Sequence, residues 1–483
     1  MTGNEKWIKK RKISIFEVNN EPEPSESRSI FPESPQKRRK QEKIEKFIPE
    51  IPQQSAPASI NDLNDDCLER IFKCLPLTSR LTVRIVSKRW EKASKLAWSN
   101  VRALNFSKSP LWNDLDELPP AFRSNTHIGA ILKRCGGYLR ELKIGDPCTY
   151  KILGLVGEYC VNLSRLEVSF DRYGQRFTTL FSKMNKLEYF GMKNLGKDVF
   201  QDFWGHSINN LREIHLCSQH CEENGTVRPR IYSSGLKQFT NLTAMTLEGF
   251  TLEPGVIRLI SANPDLTCLS LANSRAKNFS PLTKLFSLEH LNLSKIINIG
   301  DDFITALTNN SRNLRYLNLN RCPGITTGGL SNLGNLPHLE ELFLNSCRIT
   351  DDVFKRLRSL KKLECEDCWS VDDPGITTLV NNSPNLRYLN LAGTNVTEKV
   401  LKTASSVTGR RNNFCLWVIV DKIVKTKWER SEDHGKCHLL IVDEANKIDN
   451  FDNDDRSLME IYEESRLITN PELERLNQLR YNY

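Results

Sequence analysis

One six-residue unit, Leu-x-x-Leu-x-Leu, constrains this chain more than anything else in it. It appears as Leu163-Leu166-Val168, Leu187-Phe190-Met192, Leu211-Ile214-Leu216 and Leu242-Met245-Leu247. It continues as Leu266-Leu269-Leu271, Leu288-Leu291-Leu293, Leu314-Leu317-Leu319 and Leu339-Leu342-Leu344, then Leu360-Leu363-Cys365 and Leu386-Leu389-Leu391. Val101-Leu104-Phe106 and Leu139-Leu142-Ile144 are its first two occurrences. Most steps are 21 to 26 residues, enough for one strand, a turn and a helical return. A unit this small cannot cover its own apolar face. Stacked copies bury a continuous core between a strand layer and a helix layer.

The unit resembles the strand signature of leucine-rich repeats. That implies an α/β solenoid, a horseshoe of about 12 repeats. The return segments carry helix starts, as in Ile349-Thr350-Asp351-Asp352-Val353-Phe354, where Thr350 or Asp351 can cap a helix with Val353, Leu357 and Leu360 facing the core. Two steps are long: 38 residues from Val101 to Leu139, and 31 from Leu211 to Leu242. Solenoid insertions go to loops on one face. The second, from Cys217 to Gly235, carries Arg228-Pro229-Arg230 and is either a contact loop or a passive one. Beyond Thr394 the unit decays. Leu416–Val420 and Leu439–Val442 read as two further strands that could close the solenoid.

Residues 60–98 have a different period. Leu63, Leu68, Ile71, Phe72, Leu75, Leu81, Ile85, Val86 and Trp90 recur at three- and four-residue steps, which places them on one face of short helices. Asp65 or Asp66 is a plausible N-cap, and Pro76 follows the first helix. About 40 residues cannot bury much core alone, so an apolar face left over needs a partner. Residues 1–58 are rich in Pro, Ser, Glu and Lys and read as disordered. Within them Lys9-Lys10-Arg11-Lys12 and Lys37-Arg38-Arg39-Lys40 are basic runs. Each fits a nuclear import signal, a solvated tail or a nucleic-acid contact. The sequence therefore divides as 1–58, a helical module at 59–98, repeats at 99–405, a cap at 406–442 and an acidic, partly disordered tail at 443–483.

The helical module resembles an F-box. The resemblance rests on Leu63, the run Leu68-Glu69-Arg70-Ile71-Phe72, Leu75, and the ending Val86-Ser87-Lys88-Arg89-Trp90. Asn64 departs from the usual proline and Ser87 from a common cysteine. Cys322, Cys347 and Cys368 each fall three residues after their strand unit, so the repeats are similar to the cysteine-containing subclass that accompanies F-boxes. The resemblance covers roughly residues 60–405. It implies the substrate-recognition subunit of an SCF-type ubiquitin ligase. Leu63, Leu68, Ile71, Phe72, Leu75, Leu81, Val86 and Trp90 would dock on the Skp-family linker of a cullin-RING ligase. The repeats would hold a protein substrate, in nucleus and cytoplasm. A repeat scaffold with no ligase role is the competing reading.

Alternation along each strand sets which residues face away from the leucines. These include Tyr189, His215, His290, Tyr316, Phe343 and Tyr388, expected on the concave face as a substrate surface, with the aromatics exposed as contact hot spots. No catalytic constellation stands out, so a non-catalytic adaptor is expected, with no cofactor and no metal. Cys365-Glu366-Asp367-Cys368 has the spacing of half a zinc site but no second pair. His215, Cys217, His220 and Cys221 are dense but read as ordinary surface residues. Fourteen cysteines point to reduced thiols. The N-terminus has no apolar stretch to make a secretory signal. No apolar run reaches the roughly 18 residues of a membrane span. Net charge is +9, concentrated near the N-terminus, and nucleic acid ranks last among the expected partners.

Overall fold

The computed structural model describes residues 59–107, 114, 118–170, 173, 180–194, 210–218, 228–411 and 415–445. The basic runs at 9–12 and 37–40, and the expected tail beyond residue 445, lie outside them. The described residues fall into two units, one ending at Leu63 and one starting at Asn64. What is described of the first is a single 3-10 turn, Ile60–Asp62. The Ser59 hydroxyl accepts from the Asn61 N–H at 3.3 Å, and the Asp62 carboxylate accepts from the Ser59 N–H at 2.8 Å.

The second unit opens with helices α1 (Asp65–Lys73), α2 (Leu77–Thr82) and α3 (Lys88–Leu96). The cap of α1 is Asn64, not Asp65 or Asp66. Its side-chain oxygen accepts from the Cys67 N–H at 2.8 Å, leaving both aspartates in the first turn, where the helix dipole favours them. Ser87 caps α3 by accepting from the Trp90 N–H at 3.1 Å. Both departures from the family pattern are thus helix caps. Leu68 and Phe72 are fully buried, with the Phe72 ring 5.0 Å from that of Trp90. Buried Arg80 ties the module together. Its guanidinium donates to the carbonyls of Leu75 at 2.7 Å and Ala97 at 2.9 Å, to Asn100 Oδ1 at 2.9 Å, and to the Lys73 carbonyl.

Among the described residues the repeats form one parallel sheet of fourteen strands. They are β1 (Ala103–Phe106), β2 (Glu141–Gly145), β3 (Arg165–Ser169), β4 (Tyr189–Lys193) and β5 (Glu213–Cys217). β7 (Ala244–Glu248), β9 (Cys268–Ser270), β10 (His290–Asn292), β11 (Tyr316–Asn318) and β12 (Glu341–Phe343) follow. The last are β13 (Lys362–Glu364), β14 (Tyr388–Asn390), β15 (Leu416–Val420) and β16 (Leu440–Glu444). Their order in the sheet is their order in the chain. A separate two-stranded pair joins β6 (Arg230–Ile231) to β8 (Thr251–Leu252) at the second insertion. Arg228 there is buried and donates to Asn273 Oδ1 at 2.8 Å and to the Asn273 carbonyl, so this arginine holds the insertion to a turn.

Register is uniform. Leu291 lies opposite Leu269 and Leu317, and Leu342 opposite Leu317 and Leu363. The middle residues of the unit are therefore stacked into one buried row. The core that results is continuous from Leu77 and Trp98 to Trp428. A different, smaller cluster of Ala244, Cys268, Tyr316 and Phe343 lies apart from that core. Among the described residues no helix is long and apolar enough to cross a membrane.

The return segments vary with repeat length. The two 26-residue steps enclose the ten-residue α-helices Asp301–Asn310 and Asp373–Asn382. The steps of 22 and 21 residues enclose only the 3-10 helices Ser280–Lys284 and Asp351–Arg356. A 3-10 helix rises about 2.0 Å per residue against 1.5 Å for an α-helix. It spans the same gap with fewer residues. The start at Thr350 stands as the N-cap of the second of these, and Val353, Leu357 and Leu360 are buried.

Candidate interaction surfaces

Two surfaces expose side chains that the core does not use. The first is on the helical module. Ile85 is 77% exposed, Val86 61% and Ile71 37%. Leu75, Leu81 and Trp90 are half-buried, and Leu63 in the preceding unit is likewise intermediate. Leu68 and Phe72 correct the expectation of a linker-facing set, since both side chains are consumed by the module's own core and cannot reach a partner. Ile85, outside the expected set, is its most exposed apolar residue. The helical period did not separate these roles because Val83–Ile85 turns as a 3-10 helix, which shifts the face at the Ile85-Val86 pair.

The second surface is the face of the sheet opposite the core. It carries two residues per strand in register, for example Glu141, Arg165, Tyr189 and Glu213 in one row and Lys143, Glu167, Gly191 and His215 in the next. The alternation expected from sequence holds, but exposure does not. Tyr189, His215, Tyr316 and Phe343 are buried, while His290 and Tyr388 are half-buried. Strands about 4.8 Å apart let a large ring lie flat over its neighbours. The Tyr316 and Phe343 rings stand 4.9 Å apart, and Tyr189 lies 5.0 Å from His215.

Charge on this face is largely paired. Lys143 and Lys193 lie 3.2 and 3.3 Å from Glu167. Burial pushes the Glu167 carboxyl up, yet the two lysines outweigh it and hold the group below the usual carboxylate range. The Arg165 guanidinium sits 3.7 Å from the centre of the Tyr189 ring, a cation–π contact, and 3.9 Å from Glu213. His215 Nδ1 is 2.8 Å from the Thr246 hydroxyl. Burial holds the His290 imidazole below its ordinary value. Further along, Lys362 packs between the rings of Phe343 at 4.7 Å and Tyr388 at 4.9 Å and pairs with Glu364 at 2.8 Å. Tyr388 meets Trp417 edge-on at 6.2 Å. Trp417 was not among the residues expected on this face, because the repeat unit fades before it.

The cysteines are structural. Cys322, Cys347 and Cys368 donate to the carbonyls of Leu293, Leu319 and Leu344 at 3.1, 3.2 and 3.1 Å, each reaching back one repeat. Burial pushes the Cys322 and Cys368 thiols up to about 12, so they stay protonated and serve as S–H donors, not as metal thiolates. Cys365 donates in the same way to the Asn390 carbonyl at 3.6 Å. Among the described residues no group of three or more His, Cys, Asp or Glu is placed to hold a metal; His220 and Cys221 lie outside them.

Residues 60–101 match the F-box domain. A Caenorhabditis elegans protein named as a candidate RNA-binding protein is 21% identical over 69% of this chain and 50% of its own length. This chain thus spans about half the length of that relative. An Arabidopsis thaliana F-box/FBD/LRR-repeat protein is 22% identical over 69% of this chain and 73% of its own. Among solved structures, the yeast Rad7 and Elc1 complex contains a chain similar at TM-score 0.43 and 16% identity, covering 77% of this chain and 96% of that one. A Leptospira interrogans LRR protein aligns at TM-score 0.40 and 18% identity, covering 74% and 86%.

Proposed function

We propose that this chain, with an F-box heading a solenoid of leucine-rich repeats, is a substrate-recognition subunit of an SCF-type ubiquitin ligase. The observation that carries this is the exposure of Ile71, Ile85, Val86 and Leu96 on a module whose Leu68, Phe72 and Leu77 are packed. Leaving aliphatic side chains in water has no benefit for folding. Covering Ile85 and Val86 would contribute up to roughly 1.5–3 kcal/mol each. A Skp-family linker is the partner that an F-box implies. The sheet face then retains a protein substrate near the charged ubiquitin enzyme. The chain acts by raising local concentration, without a catalytic group of its own.

The competing scaffold reading has one fact behind it. Leu77 and Trp98 share the core of the repeats, so the module also serves as an end cap. A cap alone gives no reason for bare Ile85 and Val86. RNA binding, the property in the name of the worm relative, gains nothing from the open face, where Lys143, Lys193 and Lys362 are paired with glutamates.

The test is co-purification with a recombinant Skp-family linker. The full chain should retain the linker, and the double variant Ile85→Asp/Val86→Asp should weaken it at least tenfold with an unchanged melting temperature. No binding by the unaltered chain sinks the ligase reading and leaves the scaffold.

A further inference from the structure

Strand β15 is apolar on both faces, and β16 adds Ile441 beside it before ending in Asp443 and Glu444. In β15, Leu416, Val418 and Val420 fill the core, while Trp417 and Ile419 turn to the open face. Trp417 is 45% exposed, and Ile441, its partner in register on β16, is 46% exposed. In the row of Ile419, earlier strands place Asn292, Asn318, Phe343, Glu364 and Asn390, four of the five polar. A strand apolar on both sides is the pattern of a sheet covered on both sides. Around the patch stand carboxylates. Asn345 and Asn390 donate to Glu364 and Glu366 at 3.2 and 3.1 Å and fix their orientation, and Asp421 and Asp443 lie on and beside the next strands. Cations stand among them too: Lys362 is 2.8 Å from Glu364, Lys425 3.5 Å from Asp443 and Lys422 3.8 Å from Glu444.

We infer that the open face of β13–β16 docks a basic segment of a partner protein, in which lysines or arginines flank a large apolar side chain. The apolar residue would cover Trp417 and Ile441, with a cation over the indole or against Glu364 and Glu366. Charge selects this occupant over the chain's own continuation. Residues 446–483 hold nine carboxylates against five Lys or Arg, the same sign as the face they would have to cover. The inference rests on the adaptor reading only in calling that partner a substrate.

Fluorescence anisotropy of the full chain tests it with two labelled peptides, one alternating lysine with leucine and one alternating glutamate with leucine. The lysine peptide should bind at least tenfold more tightly, and less so at high salt. Trp417→Ala, and separately Glu364→Gln/Glu366→Gln, should each weaken it at least fivefold without moving the melting temperature. Equal binding of the two peptides, or binding unchanged in both variants, overturns the inference. So does binding that appears only after removal of 446–483, which would make that segment the occupant. A dimer in sedimentation that Trp417→Ala dissociates would assign the face to a second copy and overturn it too. Linker co-purification is read separately. Lost peptide preference with linker retained leaves the ligase reading standing, and the converse leaves the docking surface standing.

Discussion

At eight of the described turns that leave a strand, one residue adopts a left-handed backbone. Asn194, Asn273, Lys295, Arg321, Ser346 and Asp367 have φ between +55° and +65°, and Gly249 and Gly393 take the same place. The conformation aims the N–H at the next repeat: Lys295 donates to the Asn320 carbonyl at 2.8 Å and Arg321 to the Asn345 carbonyl at 2.8 Å. Residues with a Cβ are strained there by about 1 kcal/mol. Arg321→Gly should therefore raise the urea midpoint by roughly 0.5–1 kcal/mol of stability. Gly393→Val should lower it, since the new Cβ would also stand 3.1 Å from the Asp367 Cα. The thiols two residues before or beside these turns give a pH signature. Free in the unfolded chain they ionise near 9, whereas Cys322 and Cys368 hold their protons to about 12. The folded state binds more protons in that window, so stability falls as pH rises from 9 to 12, by up to about 1.4 kcal/mol per unit per thiol. Melts of Cys322→Ala/Cys368→Ala across that range should show a shallower decline; an equal slope would remove these thiols as the cause.

Among elements, Arg80 carries more than any helix-forming preference. The α2 helix has only six residues and no side-chain cap, so it is not stable by itself. It is held because one guanidinium satisfies the carbonyls that end α1 and α3. Arg80→Ala strands those carbonyls and should cost about 3 kcal/mol or more. Hydrogen exchange should then accelerate throughout α1–α3, with little change in β9–β14. None of this was legible in the sequence, where Arg80 is one more exposed-looking cation. The strand unit, by contrast, was legible nearly residue by residue, because period-two alternation fixes facing before anything else is known. What alternation cannot give is depth. Tyr316 and Phe343 lie on the expected face but are buried, since a ring there covers its neighbours instead of standing in solvent. Helix type is readable only afterwards, from repeat length: the 21-residue step at Asp351–Arg356 leaves too few residues for an α-turn to cross.

The whole molecule is a one-dimensional stack in which each repeat is stabilised by its neighbours, so its ends need covers. At the far end Trp428 is buried beneath β15 and β16 as part of the common core. At the near end Leu77 and Trp98 close the core ahead of β1. The helical module that closes this end also carries the exposed Ile85 and Val86 of the proposed docking surface, so one element would serve both roles. Its outward residues should be separable from its inward ones. Ile85→Asp/Val86→Asp removes docking alone, whereas Leu77→Ala opens a cavity in the shared core and should cost about 2–5 kcal/mol. Nearest-neighbour coupling predicts where that loss falls. Hydrogen exchange in Leu77→Ala should quicken first in β1–β3 and decay along the sheet, leaving β11–β14 protected. Uniform loss of protection across all strands would mean that the solenoid melts as one cooperative block, and the cap would then act on the whole stack rather than on its first turns.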